Sequence, residues 1–325
     1  MSHIPSNANS ATQTWPKSTQ SLTSSSRVKG SIQPTSKLRI GSLCTGYGGL
    51  DLAVEAHFNA ETVWCAEFDK YASEVIKHHF NVPNYGNIKT INWASLPEID
   101  ILTAGYPCQP FSTAGERKGT DDERHLFPYI AEAISNLRPR WVVLENVRGH
   151  LNLGFKEVLA ILTNLGYDTK WQIVRASDVG APHQRARLFI VAYASGERLQ
   201  RPWNKADDIT YGIVTDTYSN ARQELRRTNR GVLGKARKII DEANWQKHWS
   251  GFEITEREVP PTLDSNNRLN SKFVEYMMGL PSGWVTDIGL SRTQELKMLG
   301  NGVVPQQAKY ALELLTVVDN HGTKL

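Results

Sequence analysis

Four side chains in this sequence have the types and settings that covalent chemistry on a polar substrate needs. Cys108 sits in Gly105-Tyr106-Pro107-Cys108-Gln109-Pro110-Phe111-Ser112, directly after an apolar run, Ile99 to Ala104, that reads as a buried strand ending at the glycine. Open α/β sheets carry their chemistry at the carboxyl ends of the strands, so this thiol is expected to face a cleft. Pro107 and Pro110 stiffen the segment on either side of it. A lone cysteine is more often a small buried residue, but two flanking prolines and the polar Gln109 fit that poorly, and Cys108 reads as a nucleophile. Glu145 follows the apolar stretch Trp141-Val142-Val143-Leu144. Poor solvation there raises a carboxyl pKa toward proton-donor range; a surface or helix-capping glutamate is the alternative. In His183-Gln184-Arg185-Ala186-Arg187, side chains of an extended chain alternate, so Arg185 and Arg187 are expected on one face. Two adjacent guanidiniums suit a phosphate or a polarised carbonyl, and a solvated basic pair is the alternative.

The elements that must position these groups alternate along the chain. Leu38 to Cys44, Thr62 to Ala66, Ile99 to Ala104, Trp141 to Leu144 and Leu188 to Tyr193 read as strands, while Leu50 to Phe58, Tyr71 to Phe80, Pro128 to Leu137 and Phe155 to Leu165 carry helical spacing. This predicts an α/β fold with a doubly wound, mostly parallel sheet. Gly46, Gly48 and Gly49 fall between the first strand and the first helix, where they form a tight turn that lets a ligand approach the backbone. The spacing is not Gly-x-Gly-x-x-Gly and no phosphate-cradling lysine follows, which disfavours a dinucleotide or a triphosphate. A helix after Pro305 is expected to pack back on the sheet.

The remaining composition narrows the class. The 325 residues, 40% hydrophobic with a formal net charge of +4, suit a globular protein and contain no apolar run able to span a bilayer. Cysteines at 44, 65 and 108 make neither a disulfide framework nor a metal-ligand cluster, and no signal peptide is evident. Cys44 and Cys65, within strand patterns, are expected in the core. Residues up to about Ser36 are rich in Ser, Thr, Asn and Gln and read as a mobile tail. From Ser195 to about Glu258 strand signals fade. Three tryptophans appear there (Trp203, Trp245, Trp249), with a basic run of Arg222, Arg226, Arg227, Arg230, Lys235, Arg237 and Lys238. Such runs are often no more than solvated surface.

Five stretches in order resemble the DNA (cytosine-5) methyltransferases of bacteria and phages: Ser42 to Asp51 around the glycine turn, Pro107-Cys108-Gln109, Glu145-Asn146-Val147, Arg185-Ala186-Arg187 and Leu299-Gly300-Asn301-Gly302-Val303-Val304. The resemblance runs from about Leu38 to the C-terminus. It implies a Rossmann-like domain that binds S-adenosylmethionine as methyl donor, with no metal, and a small target recognition domain. The expected organisation is a disordered tail at 1–37, a catalytic domain at 38–194, a short recognition domain at 195–258, and final motifs at 259–325 that return to the catalytic domain. Cys108, Glu145, Arg185 and Arg187 would be catalytic. Glu67, at the end of the second strand, would take the ribose hydroxyls beside Gly46, Gly48 and Gly49. Phe68 would stack on the adenine, Asn87 and Ile88 would line its edge, and Pro107, Leu126, Asn301 and Val303 would complete the pocket. As plain residues, Phe68 and Ile88 fit an ordinary core equally well.

The sequence departs from the family pattern at Cys44, where an aromatic residue against the cofactor is usual, at Asn87 for an aspartate, and at His183 for a glutamine. These bear on affinity for the donor more than on activity. The resemblance further implies double-stranded DNA as partner, with no membrane, and a monomer in the cytoplasm or nucleoid of a bacterium, or encoded by a phage. A cognate restriction endonuclease is compatible but not inferable. Ser112 to His125 reads as a polar loop able to close over DNA. Three other readings stay open: an RNA cytosine methyltransferase, a DNA-binding protein on a relic fold, and a nicotinamide-dependent oxidoreductase, which would leave Cys108 unexplained.

Overall fold

The computed structural model describes residues 37–107, 126–194 and 259–316. Cys108, the 112–125 loop, the N-terminal tail to residue 36 and the 195–258 segment lie outside the described residues. Six strands form one sheet: β1 (Leu38–Leu43), β2 (Ala60–Ala66), β3 (Ile101–Gly105), β4 (Trp141–Val147), β5 (Tyr167–Val174) and β6 (Arg187–Ala194), in the order β2-β1-β3-β4-β6-β5. β1, β2, β3 and β4 pair in parallel, while β6 runs antiparallel to both β4 and β5. The expected mostly parallel sheet is present, with one reversed strand.

Side-chain alternation decides which helices cover which face. Leu102, Ala104, Val142, Leu144, Leu188 and Ile190 bury one face beneath α3 (Phe127–Leu137) and α4 (Phe155–Asn164), whose Ile130, Ile134, Phe155 and Leu162 reach the same core. Ile40, Ile101, Val143, Phe189 and Val191 face the opposite way. There they meet Leu50, Ala53 and Val54 of α1 (Gly49–Phe58), together with Ala308, Ala311 and Leu312 of the C-terminal helix, Pro305–Leu315. Each fully buried leucine or isoleucine contributes roughly 1.5–3 kcal/mol, so both faces resist opening. A third cluster joins Tyr47 and α2 (Lys70–His79) to Met278, Leu280, Trp284 and Leu299. It fastens α5 (Ser271–Met277) and α6 (Arg292–Asn301) against the glycine turn; the C-terminal helix is α7.

Four expectations need correction. β5 was not anticipated, because Asp168, Lys170 and Gln172 interrupt its apolar residues; at the sheet's edge it needs only one buried face. β4 runs two residues past Glu145, since Asn146 and Val147 still pair with Leu188 and Arg187. Cys44 lies beyond β1 with φ 51°, partly exposed and outside the strand, whereas Cys65 is buried as expected. Arg185 lies two residues before β6 with φ 31°, so the alternation that put it on one face with Arg187 does not apply.

Candidate functional site

β3 and β4 lie side by side with Gly105, the last residue of β3, opposite Glu145, so the strand that leads to Cys108 ends beside the acid. Tyr106 anchors the chain before Cys108: its hydroxyl pairs with His150 Nε2 at 2.9 Å, and its carbonyl accepts from Asn146 Nδ2 at 3.2 Å. Glu145 is 7% exposed, and its Oε1 lies 3.0 Å from Arg187 Nε. Burial pushes its carboxyl up to about 7 despite the opposing pull of Arg187 and Arg185. Desolvation outweighs two cations, and the group titrates where a proton donor is useful.

Arg187 and Glu145 line one end of a cleft of about 810 Å³, within the usual size of a small-molecule site. Of the residues expected to hold the donor, Gly46, Glu67, Phe68, Asn87, Ile88, Pro107, Leu126 and Asn301 line the same cleft. Glu67 Oε2 accepts from Gly46 N and its Oε1 from Asp69 N, each at 2.8 Å. Both oxygens keep a lone pair for a diol. Burial raises this carboxyl while the two backbone donors hold it down. Phe68 is 78% exposed, which rules out the core reading; Ile88 is buried yet still edges the cleft. Asn87 Oδ1 accepts from Lys89 N at 3.1 Å, so its amide is oriented by its own turn. An exposed aromatic ring, a diol-compatible carboxylate and a glycine turn with no phosphate cradle fit a nucleoside without phosphates, which is what S-adenosylmethionine presents.

Gly48, Gly49 and Val303 do not line the cleft. A Cβ on Gly48 would stand 2.3 Å from the Phe80 ring, and one on Gly49 would stand 2.1 Å from the Val303 carbonyl oxygen. They permit close packing behind the turn. Val303 is buried, with its carbonyl accepting from the Tyr47 hydroxyl at 2.7 Å. Arg185 is also outside the lining; its Nη2 donates to the Gly300 and Gly302 carbonyls at 2.8 and 2.6 Å. His183 is structural, pairing through Nε2 with the Met277 carbonyl at 2.9 Å. Cys44, read from its strand pattern as core and by the resemblance as a position against the donor, packs against the core and lines the cleft, its thiol pushed up by burial and then by Glu67.

Sequence reasoning missed Gln294, Lys297 and Met298 of α6, and Asp69 and Tyr71 at the start of α2. Asp69 had a visible signal, two residues past Glu67 and directly before a helical pattern, and it caps α2 through Tyr71 N and Ala72 N. The α6 residues had none, because no motif marks the face of a helix that reaches the cleft from far along the chain. Among the described residues no group of His, Cys, Asp or Glu is arranged to hold a metal, and no helix is long and apolar enough to cross a membrane.

A family model described as C-5 cytosine-specific DNA methylase matches residues 38–257. The chain is similar to the Type II methyltransferase M.HhaI of Haemophilus parahaemolyticus, 35% identical over 84% of this chain and 92% of that one. It is also similar to M1.ScrFI of Lactococcus lactis subsp. cremoris, 28% identical over 88% and 80%, and to M.NgoBI of Neisseria gonorrhoeae, 37% identical over 47% and 49%. Thus the match spans about half the length of the last of these. Among solved structures, the S. pombe Dnmt2 methyltransferase superposes with a TM-score of 0.55 at 16% identity, covering 86% of this chain and 99% of that one. That likeness concerns the fold.

Proposed function

The chain belongs to the C-5 cytosine-specific DNA methylase family, and from that premise we propose that it methylates C5 of a cytosine flipped out of a specific duplex DNA sequence, through a covalent bond between Cys108 and C6. As a DNA cytosine-5 methyltransferase it faces a base whose C5 is too weakly nucleophilic to attack a methyl sulfonium unaided. The thiolate of Cys108 adds to C6, and the electron density gained makes C5 enamine-like. Glu145, at N3, donates a proton or hydrogen bond as charge builds on the ring. Arg187, already paired with Glu145, holds the O2 edge. After C5 has taken the methyl group, loss of the C5 proton re-forms the double bond and expels Cys108 as thiolate. The target atoms lie within the base stack of duplex DNA, so the base must leave it.

S-adenosylmethionine supplies the electrophilic methyl group. Glu67 would take its ribose hydroxyls, Phe68 its adenine face, and Ile88 with Asn87 the adenine edge. Pro107, Leu126 and Asn301 would close the pocket, with Gly46 bringing the backbone near. The observation that carries the reading is the buried Glu145–Arg187 pair at 3.0 Å, with Glu145 on the strand beside the one that leads to Cys108.

The test is incorporation of tritiated methyl from S-adenosylmethionine into duplex DNA and tRNA, with capture on DNA containing 5-fluorocytosine, which cannot lose its C5 substituent as a proton. Label in DNA and a covalent adduct that disappears in Cys108→Ser support the proposal. Label in tRNA alone, or DNA methylation by Cys108→Ser near the wild-type rate, rejects it.

A further inference from the structure

Arg185 is placed where it cannot act as Arg187 does. Arg187 faces the cleft on β6, bonded to Glu145. Arg185 precedes the strand, and one of its nitrogens, Nη2, holds two main-chain carbonyls, those of Gly300 and Gly302, at 2.8 and 2.6 Å. These two residues and Asn301 between them form a wall of the cleft. The backbone of Arg185 is fixed in turn: Gln307 Nε2, on α7, donates to the Arg185 carbonyl and to the Val174 carbonyl, each at 2.8 Å. A residue with a Cβ held at φ 31° is a conformation the surroundings must impose. From the other side, the Tyr47 ring packs so tightly on Gly302 that a Cβ there would lie 1.8 Å from Cε1, and the Tyr47 hydroxyl holds the Val303 carbonyl. The wall is gripped between a phenol and a guanidinium.

Resting on the proposed function, we infer that Arg185 is a positioning residue that fixes the Gly300–Gly302 wall against the donor and, through its charge, links that wall to the Glu145–Arg187 pair, without itself touching the target base. A guanidinium is suited to this because it presents several donors in a rigid plane, whereas an ammonium is a point charge. Its charge favours the ionised form of Glu145, second to that of Arg187. The other titratable groups facing Glu145 are Tyr47 and Tyr106, whose phenols burial pushes up so that they stay neutral. Arg185 Nε is buried with no partner among the described residues. Contact of that atom with the base is therefore the competing outcome.

Two variants separate these roles. Arg185→Met removes the carbonyl bonds and the charge; Arg185→Lys keeps the charge but cannot reproduce the planar fork. By isothermal titration, Arg185→Met is expected to bind S-adenosylmethionine about tenfold or more weakly, the loss of the two charge-assisted bonds that hold the wall in place. Arg185→Lys should show part of that loss. Duplex DNA affinity, measured without the donor, should stay within about twofold of wild type in both. The pH limb of kcat/KM that reports Glu145 should move upward in Arg185→Met and stay in place in Arg185→Lys. Unchanged donor affinity in Arg185→Met overturns the inference, as does a large loss of DNA affinity in either variant. If wild-type protein itself binds no S-adenosylmethionine, it is the proposed function that fails. Should Arg185→Met not fold, Gln307→Met, which frees the Arg185 carbonyl and leaves its charge, is expected to weaken donor binding with DNA affinity intact; wild-type donor affinity there overturns the inference equally.

Discussion

A carboxylate 3.0 Å from a guanidinium ordinarily stays ionised well below neutrality, yet Glu145 is pushed up to about 7. Burial between β3 and β6 decides the matter, because removing the charged form from water outweighs the attraction of Arg187 and Arg185. The protonated acid is therefore present near neutral pH and disappears as pH rises through about 7. The rate at limiting DNA, kcat/KM, should fall across that range, and Glu145→Gln, which keeps the shape but cannot lose a proton, should abolish this limb. The variant should also turn over about a hundred- to ten-thousand-fold more slowly, the usual worth of a positioned acid, with S-adenosylmethionine affinity nearly unchanged. A pH profile of kcat/KM and a titration of donor binding check both; a large loss of donor affinity would place Glu145 in a different part of the chemistry. Glu145 was legible because a charged residue after four apolar ones must end at a sheet edge or be paired. Arg185 was misread because alternation is a property of strands, and nothing local announced that the strand starts two residues later.

At the scale of elements, the glycine turn works because segments distant in sequence close over it. The Trp284 indole donates to the Tyr47 carbonyl at 2.9 Å, and the Tyr47 hydroxyl donates to the Val303 carbonyl at 2.7 Å. Trp284 is presented by a loop gathered on Glu275, whose carboxylate accepts from the backbone nitrogens of Gly283, Val285 and Thr286. Tyr47→Phe removes one buried hydroxyl and leaves the ring on Gly302. It is expected to lower stability by about 1–3 kcal/mol, the range for leaving a buried partner unsatisfied, and to weaken donor binding. Denaturant midpoints and donor titration measure the two effects; unchanged values for both would mean that the bond does not hold the wall. The alternation of strands and helices was readable because a sheet covered on both faces needs continuous apolar runs in its central strands. The third layer was not, since Tyr47, Trp284 and Leu299 meet only after the chain has closed, and β5 hid because an edge strand tolerates polar residues on its open side.

Across the whole molecule, charge is distributed in two ways that solution measurements can separate. Inside, Asp51 is fully buried at the start of α1 and pushed up to about 7, chiefly by burial, with the Thr103 hydroxyl 2.5 Å away holding it down. An acid whose folded pKa exceeds its unfolded value keeps more protons in the native state, so stability falls as pH rises from about 4 to about 7. Burial lowers the pKa of His57 and of His79, which oppose this trend by favouring the folded state as pH rises. The Asp51→Asn variant isolates the term: wild type minus variant stability should decline across that window, and a flat difference would contradict it.

In the sequence, the basic run from Arg222 to Lys238 falls within the stretch matched by the methylase family model, between the arginine segment and the last motifs. We propose that these residues meet DNA phosphates. The protein's formal net charge is only +4, so attraction to a polyanion has to come from a local concentration of cations. Neutralising Arg226, Arg227 and Arg230 together should weaken binding to every DNA sequence alike and reduce the slope of log affinity against log salt by up to about three, close to one for each phosphate left without its cation. Because phosphate contacts position a protein and base contacts specify its site, the preferred sequence should survive while overall affinity falls. S-adenosylmethionine binding should be untouched, since the cleft proposed for it is lined by described strands, turns, α2 and α6. Fluorescence anisotropy at several salt concentrations, on cognate and scrambled duplexes, measures slope and preference together. An unchanged slope means the run does not touch phosphates; a lost preference with the slope intact means these arginines read bases instead.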